Sequence, residues 1–155
     1  MSGIIEDRLR KKGIEIPEAA TPAANYVPYV ISGKQISVAG QIPFWNGKLT
    51  GVGIVGRDFT TDEAVNIARV CGLNLLAQAK AACAGDLDKI FQVIKLGGFV
   101  RCTEDFGNHP EVVNGASNLM VEVFGNSGRH ARFAVGTNSL PRGVAVEVEG
   151  VFELK

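Results

Sequence analysis

The sequence GRHARFAVGTNSLPRGVAVEVEG, residues 128 to 150, contains two strand-like runs on either side of a loop rich in turn-forming residues. In the first run Phe133 and Val135 alternate with Arg132 and Ala134, and in the second run valines alternate with glutamates. Because successive side chains of a strand point to opposite faces of the sheet, each run has one face that carries charge. The stretch therefore predicts two strands, and its charge marks either a solvated surface or a site.

The charge in this stretch has two interpretations that depend on how the strands pair. We expect an antiparallel hairpin with Val135 opposite Val144, which would place Arg132 opposite Glu147. In one interpretation these two residues form a cross-strand ion pair that contributes about 0.2 to 1 kcal/mol, as surface pairs often do. In the other, the guanidinium lies in a partly buried pocket above the small Ala134 and binds a substrate carboxylate. The pattern leaves both open.

Two long helices are predicted upstream of this stretch. A capping box formed by Thr60 and Glu63 begins a helix that runs to about Ala84. Asn108 and Gly125 are predicted to be the caps of a second helix. The periodicity predicts two buried stripes, formed by Ala64, Ile67, Cys71, Leu75 and Ala79 and by Val113, Ala116, Met120 and Val123.

Three further strands are predicted from the rest of the chain. Residues 26 to 43 are typical of a hairpin with its turn at Gly33-Lys34, and residues 91 to 103 are rich in strand-forming residues. Gly97-Gly98 interrupts the latter segment and indicates a bulge or a close backbone approach. A short N-terminal helix over residues 3 to 12 is predicted to direct three side chains inward, namely Ile4, Ile5 and Leu9.

These elements predict an α+β fold in two layers. One sheet with the two long helices packed on one face accounts for the order helix, strand, strand, helix, strand, helix, strand, strand. The other face of the sheet would then be uncovered, although it carries valines together with Glu147 and Glu149. Self-association is one way to cover such a face.

Composition excludes several classes of protein. A chain of 155 residues that is 46% hydrophobic is the size of one compact domain. Sixteen basic and sixteen acidic side chains balance, which gives no basic stripe for nucleic acid. No apolar run approaches the roughly 18 residues of a membrane span, and no signal peptide is indicated. We therefore expect a cytoplasmic protein.

No motif indicates a metal or an organic cofactor. Cys71, Cys83 and Cys102 lack CxxC spacing, and His109 and His130 lack the spacing of metal ligands. No base is predicted near Cys102, which is therefore interpreted as structural. The segment from Gly51 to Gly56 matches GxGxxG, but a helix does not follow it directly, so we do not expect a dinucleotide site.

Several segments together resemble the YjgF/Rid family of reactive-intermediate deaminases, also called the L-PSP family. PYVISG followed by ISVAGQIP resembles the family's first hairpin, and TTDEAVNIARVCGLNLLAQAKAA its first helix. IKLGGFVRCTEDFGNHPEVVN is similar to its central strand and second helix start, and HARFAVGTNSLPRGVAVEVEG to its closing signature. The resemblance covers residues 23 to 155 as one domain and leaves residues 1 to 22 as an N-terminal helical extension and linker.

The resemblance implies a fold, an assembly and an activity. The fold is chorismate-mutase-like, and three copies form a homotrimeric barrel with clefts between subunits. The activity is hydrolysis of enamine and imine intermediates to 2-keto acids and ammonia, without a cofactor or metal. By this resemblance Arg132 holds the substrate carboxylate and Glu147 positions the attacking water. Substrate binding would further involve Tyr29, Gly40, Asn114 and Ala134.

Two departures from the family pattern keep other functions open. Ala39 and Ala134 stand where many members have a serine and a cysteine, and the glycine-rich loop over residues 46 to 56 lies outside the compact pattern. A trimeric module that binds a small carboxylate or a protein without turnover is therefore one alternative. An endoribonuclease is another, which the balanced charge disfavours.

Overall fold

The computed structural model describes residues 3 to 22 and 24 to 155, which form one mixed sheet with helices packed on one face. The elements in chain order are α1 (Ile4–Lys12), β1 (Tyr29–Ser32), β2 (Gln35–Gln41), β3 (Phe44–Trp45), β4 (Lys48–Leu49), α2 (Thr61–Ala82), β5 (Ile90–Arg101), α3 (His109–Phe124), β6 (Ala131–Thr137) and β7 (Val146–Leu154). Short 3-10 turns lie at Leu87–Lys89, Gly125–Gly128 and Pro141–Gly143.

The main sheet has the strand order β1-β2-β7-β5-β6. All its neighbouring strands are antiparallel except β5 and β6, which are parallel. The predicted β1–β2 hairpin and its turn at Gly33 are confirmed. The pair β3 and β4 forms a separate small hairpin in a segment that the sequence pattern indicated as loop.

The predicted pairing of β6 with β7 is wrong, because β5 lies between them. Two glycines of β5 favour this arrangement by making room on both faces of the strand. A Cβ atom at Gly97 would collide with the ring of Phe133 on β6, and one at Gly98 would collide with Val113 of α3. Gly97-Gly98 is therefore a site of close approach, one of the two alternatives that the sequence indicated.

The two long helices cover one face of the sheet as predicted. Thr60 and Glu63 form the expected capping box, in which each side chain accepts a hydrogen bond of 3.2 Å from the other residue's backbone amide. Asn108 precedes α3 as expected, but its side chain does not cap the helix and instead donates to the Thr61 hydroxyl at 3.5 Å. Every residue of the two predicted stripes is buried in the core.

Helix α1 packs against α3 and the turn before β5. Ile5 and Leu9 are buried as predicted, whereas Ile4 is 72% exposed, so its predicted inward direction is wrong. The Ile5 amide donates to Asp88 at 3.0 Å, and the Arg8 guanidinium donates to the Val123 carbonyl at 2.6 Å. The division of the chain near residue 22 stays a prediction.

The second face of the sheet carries exposed apolar side chains. Val30, Phe99 and Val135 are 54%, 37% and 43% exposed, and they lie on the face opposite the helices. None of the helices in the described part of the chain combines the length and hydropathy that crossing a membrane requires.

Candidate functional site

Arg132 lies on β6 with its guanidinium held against α3. Its backbone pairs with the buried Leu96, which places the side chain on the helix-covered face. Nη1 donates to Asn114 Oδ1 at 2.7 Å and to Ser117 Oγ at 3.1 Å, and Nη2 donates to the Pro110 carbonyl at 3.3 Å. A guanidinium has five N–H donors. The Nε–H and one Nη2–H therefore have no acceptor among the described residues.

Ser117 and His130 extend this hydrogen-bonded group, and sequence reasoning missed both. Ser117 Oγ lies 2.9 Å from His130 Nε2, and His130 Nδ1 lies 2.6 Å from the Gly128 carbonyl. Spacing gave only a partial signal, because Ser117 lies three residues after Asn114 on α3 and His130 lies two residues before Arg132, immediately before β6. Burial lowers the pKa of His130. The hydrogen bond to the Gly128 carbonyl raises this pKa, and the nearby charge of Arg132 lowers it.

Glu147 lies on the uncovered face of the sheet, next to Gly40. A Cβ atom at Gly40 would collide with the Glu147 carboxylate, so the glycine leaves room for this group beside the backbone of β2. Burial raises the pKa of Glu147, and the charge of Glu149 raises it further. The hairpin expected from the sequence placed this carboxylate opposite Arg132. That expectation is wrong within one chain, because Arg132 does not face Glu147.

Two features keep Arg132 and Glu147 apart in a single chain. The arginine points to the helix-covered face and the glutamate to the uncovered face. Strand β5 also separates them, since Phe99 pairs with Glu147 on one side and with Val135 on the other. Two strand spacings alone amount to about 10 Å. The structure thus has an arginine half-site around Arg132 and a glutamate half-site around Glu147, on opposite faces of the sheet.

The other predicted site residues fall into these half-sites with one exception. Asn114 holds Arg132, and Ala134 lies two residues along β6 on the same face. Gly40 belongs to the glutamate half-site. Tyr29 lies on the edge strand β1 opposite Val38, so it shares the helix-covered face and not the face of Glu147.

A cleft of about 310 Å³ adjoins the glutamate half-site. The N-terminal linker forms one wall of it, and the loop before β7 forms another. The lining residues are Ala20, Thr21, Pro22, Ala24, Tyr26, Pro28, Gly40, Gln41, Ile42, Phe44, Gln78, Pro141, Arg142 and Glu147. Gln78 anchors the linker by donating to the Ala20 carbonyl at 2.8 Å.

Among the residues that the structure describes, the remaining reactive side chains do not form a metal site. No group of three or more potential ligands comes together among residues 3 to 22 and 24 to 155. The structure does supply a base beside Cys102, contrary to the sequence interpretation, since His109 Nε2 lies 3.4 Å from its Sγ. Burial raises the pKa of this thiol, so the thiolate is disfavoured.

Comparison with known proteins identifies the family. The family model described as "YjgF/chorismate mutase-like, putative endoribonuclease" matches residues 6 to 149. Because this match covers most of the chain, the protein belongs to the YjgF family. The resemblance inferred from the sequence segments is thereby confirmed, as is the α+β fold with one mixed sheet.

Individual relatives extend over nearly the whole chain. Protein TCP17 of Trypanosoma cruzi is 45% identical over 154 residues, which are 99% of this chain and 96% of that protein. The crystal structure of Atu1372 from Agrobacterium tumefaciens, a protein of unknown function, is 48% identical with a TM-score of 0.91, covering 97% of this chain and 92% of that one. An endoribonuclease candidate from Shewanella oneidensis MR-1 is 38% identical with a TM-score of 0.94, covering 98% and 100%.

Proposed function

We propose that this protein hydrolyses enamine and imine forms of amino acids to 2-keto acids and ammonia. The observation that carries the proposal is the guanidinium of Arg132, which α3 holds in place while two of its donors have no acceptor among the described residues. Two adjacent donors on a fixed guanidinium suit a carboxylate, which binds such a fork with two hydrogen bonds. The ligand class is therefore a small carboxylic acid.

The chemistry requires few groups beyond this anchor. The carbon of an imine is already electrophilic, so the enzyme needs chiefly to fix the carboxylate and to position a water molecule. Glu147 is the proposed group for the water. Its raised pKa brings the carboxyl closer to the range in which a general base both accepts and releases a proton. The proposal includes no metal and no organic cofactor.

The two half-sites require a second copy of the chain to form one site. The arginine and glutamate half-sites are different surfaces, so we propose that they meet in a head-to-tail contact, which forms a ring when the rotation between copies closes. A ring of three copies follows the family resemblance. It would also cover the apolar side chains of Val30, Phe99 and Val135 on the second face of the sheet. We therefore propose a homotrimer with the site between subunits.

Substrate binding is proposed to involve four further residues, namely Tyr29, Gly40, Asn114 and Ala134. Asn114 orients the guanidinium, and Gly40 lets the substrate approach the backbone beside Glu147. A cytoplasmic location is also part of the proposal, because Cys71, Cys83 and Cys102 are free thiols and suit a reducing compartment.

The alternative suggested by the family description is ribonuclease activity. The formal net charge of zero does not support it, because binding a polyanion favours an excess of lysine and arginine. A nuclease would lose activity steeply as the salt concentration rises, whereas imine hydrolysis with one anchored carboxylate would depend on salt weakly. A module that only binds would gain thermal stability from carboxylates without forming product.

The first prediction concerns Arg132. Loss of a charged hydrogen-bonding anchor removes roughly 1.5 to 3 kcal/mol, so Arg132→Ala should lower kcat/KM by about 10- to 150-fold. The measurement is ammonia and keto-acid release from enzymatically generated 2-aminoacrylate, at equal protomer concentration. Arg10→Ala is the matched control, because Arg10 is exposed and its guanidinium pairs with Asp7 on the same helix.

The result that contradicts the assignment is equal turnover by wild type and Arg132→Ala. If wild type itself does not accelerate release while a keto acid raises its melting temperature, the binding module replaces the enzyme. Circular dichroism and sedimentation of both variants establish that any loss is not caused by unfolding or dissociation.

A further inference from the structure

A second cleft, of about 270 Å³, lies on the outer side of the arginine half-site. Its lining consists of Ser117, Asn118, Val121, Arg129, His130 and Arg132. The proposed imine hydrolysis uses Arg132 but gives no chemical role to the serine and the histidine. Their contact places a hydroxyl nucleophile and a nitrogen base within hydrogen-bonding distance, at 2.9 Å.

The hydrogen bonds around His130 fix which of its nitrogens carries the proton. The Gly128 carbonyl can only accept, and it lies 2.6 Å from Nδ1, so Nδ1 carries a hydrogen. In the neutral imidazole Nε2 is then the acceptor, and the Ser117 hydroxyl donates to it. This is the tautomer that a serine nucleophile requires, with a backbone carbonyl as the third group that orients the base.

The charge around the serine also favours nucleophilic attack. Arg132 Nη1 donates to Ser117 Oγ at 3.1 Å and so stabilises negative charge that develops on the oxygen. One lone pair of Oγ remains for bond formation. The charged and titratable groups that line the cleft with His130 are Arg129 and Arg132, both cationic, and α3 contributes only neutral Ser117 and Asn118. Burial lowers the pKa of His130 and the Arg132 charge lowers it as well, so the imidazole is kept in the neutral form that can accept the serine proton.

We propose that Ser117 and His130 form an acyl-transfer site that accepts small esters carrying a carboxylate. Ser117 Oγ bonds to the ester carbonyl carbon while its proton passes to His130 Nε2. The carbon–oxygen bond to the alcohol then breaks, and the alcohol leaves with that proton. Water attacks the acyl-serine in the same way, giving its proton to His130, which returns it to Ser117 as the carboxylic acid departs. The two guanidinium groups bind the ester's carboxylate and the oxyanion.

This activity does not depend on imine hydrolysis, so each can fail without the other. The probe is a fluorophosphonate, which phosphonylates an activated serine: the P–O bond to the serine forms as the P–F bond breaks and fluoride leaves. We expect intact protein to gain one adduct per chain, which peptide mass spectrometry locates at Ser117. Ser117→Ala should abolish the adduct, and His130→Gln should slow its formation at least tenfold. Ser127→Ala is the control, because Ser127 is an exposed serine in the turn that follows α3.

Turnover is measured with p-nitrophenyl hemisuccinate, which carries a free carboxylate, against p-nitrophenyl acetate, which does not. We expect the hemisuccinate to be cleaved at least tenfold faster by wild type and at the uncatalysed rate by Ser117→Ala. The proposal is overturned if no adduct forms, if the adduct maps to another residue, or if Ser117→Ala cleaves the hemisuccinate as wild type does. Labelling of His130→Gln at the wild-type rate would overturn the role of His130. Circular dichroism of the variants confirms that they are folded.

Discussion

At the scale of the residue, Arg132 and Glu147 have opposite surroundings. Arg132 has neutral acceptors from α3 and keeps donors for a ligand, whereas Glu147 is half-buried beside a second carboxylate. Sequence analysis identified both residues through the resemblance, and the alternation of side chains correctly put Arg132 and Ala134 on one face of β6. The expected hairpin, however, put Arg132 and Glu147 on the same face of the sheet, which is wrong. It could not identify Ser117 or His130 as a pair, because a contact between a helix and a strand is not visible in the local pattern of either.

Glu147 provides a prediction about pH. A general base acts when ionised, so kcat/KM for imine hydrolysis should fall as pH falls through the raised pKa of Glu147. Glu147→Gln should lower kcat/KM at least tenfold and remove this acid limb. If the pH profile of Glu147→Gln keeps the acid limb, the limb belongs to another titrating group and the assignment to Glu147 is wrong.

The same pKa predicts the effect of Glu147→Gln on stability. The folded protein binds the Glu147 proton more tightly than the unfolded chain, so this group lowers the free energy of unfolding as pH rises from 4.5 through its folded pKa. Replacement by glutamine should therefore not destabilise the protein at neutral pH. Urea unfolding at pH 7 checks this, and a clear loss of stability would show that the carboxylate supports the fold.

At the scale of the element, the ends and buried faces of the helices could be predicted from the sequence, whereas the order of the strands could not. The capping box of α2 and the buried stripes of both helices follow from short-range spacing, and the structure contains them. The partner of β6 does not follow from its own sequence. It depends on Gly97 of β5, which lies 36 positions before Phe133 in the sequence. Because Gly97 has no side chain, there is space for the Phe133 ring. Register arguments within residues 128 to 150 could not include this distant contact.

Gly97→Val tests how β5 selects β6. The added side chain must displace the Phe133 ring, and overpacking of this kind costs about 1 to 3 kcal/mol. We expect a lower midpoint in urea unfolding with an unchanged slope. Ala131→Val is the control, because Ala131 is exposed on β6 next to the same strand. Equal midpoints for the two variants would contradict the account of the strand order.

At the scale of the whole molecule, the separated half-sites connect fold and function. A single chain places the arginine on one face of the sheet and the glutamate on the other, with β5 between them. The sequence predicted an uncovered face that invites self-association, and Val30, Phe99 and Val135 are exposed there. The hairpin expected from the sequence would have made a complete site in one chain. The observed topology instead requires a neighbouring copy for the proposed chemistry.

The most direct test of this account is complementation between two variants of low activity. Arg132→Ala and Glu147→Gln are unfolded together, refolded as a mixture and assayed for ammonia release from 2-aminoacrylate. In a head-to-tail ring every mixed trimer has one site with both native residues, so an equal mixture should recover about a quarter of the wild-type activity. Each variant refolded alone should keep only its own reduced activity, about a tenth of the wild-type value or less. A mixture that contains mixed trimers but recovers no activity would contradict a site shared between neighbouring copies.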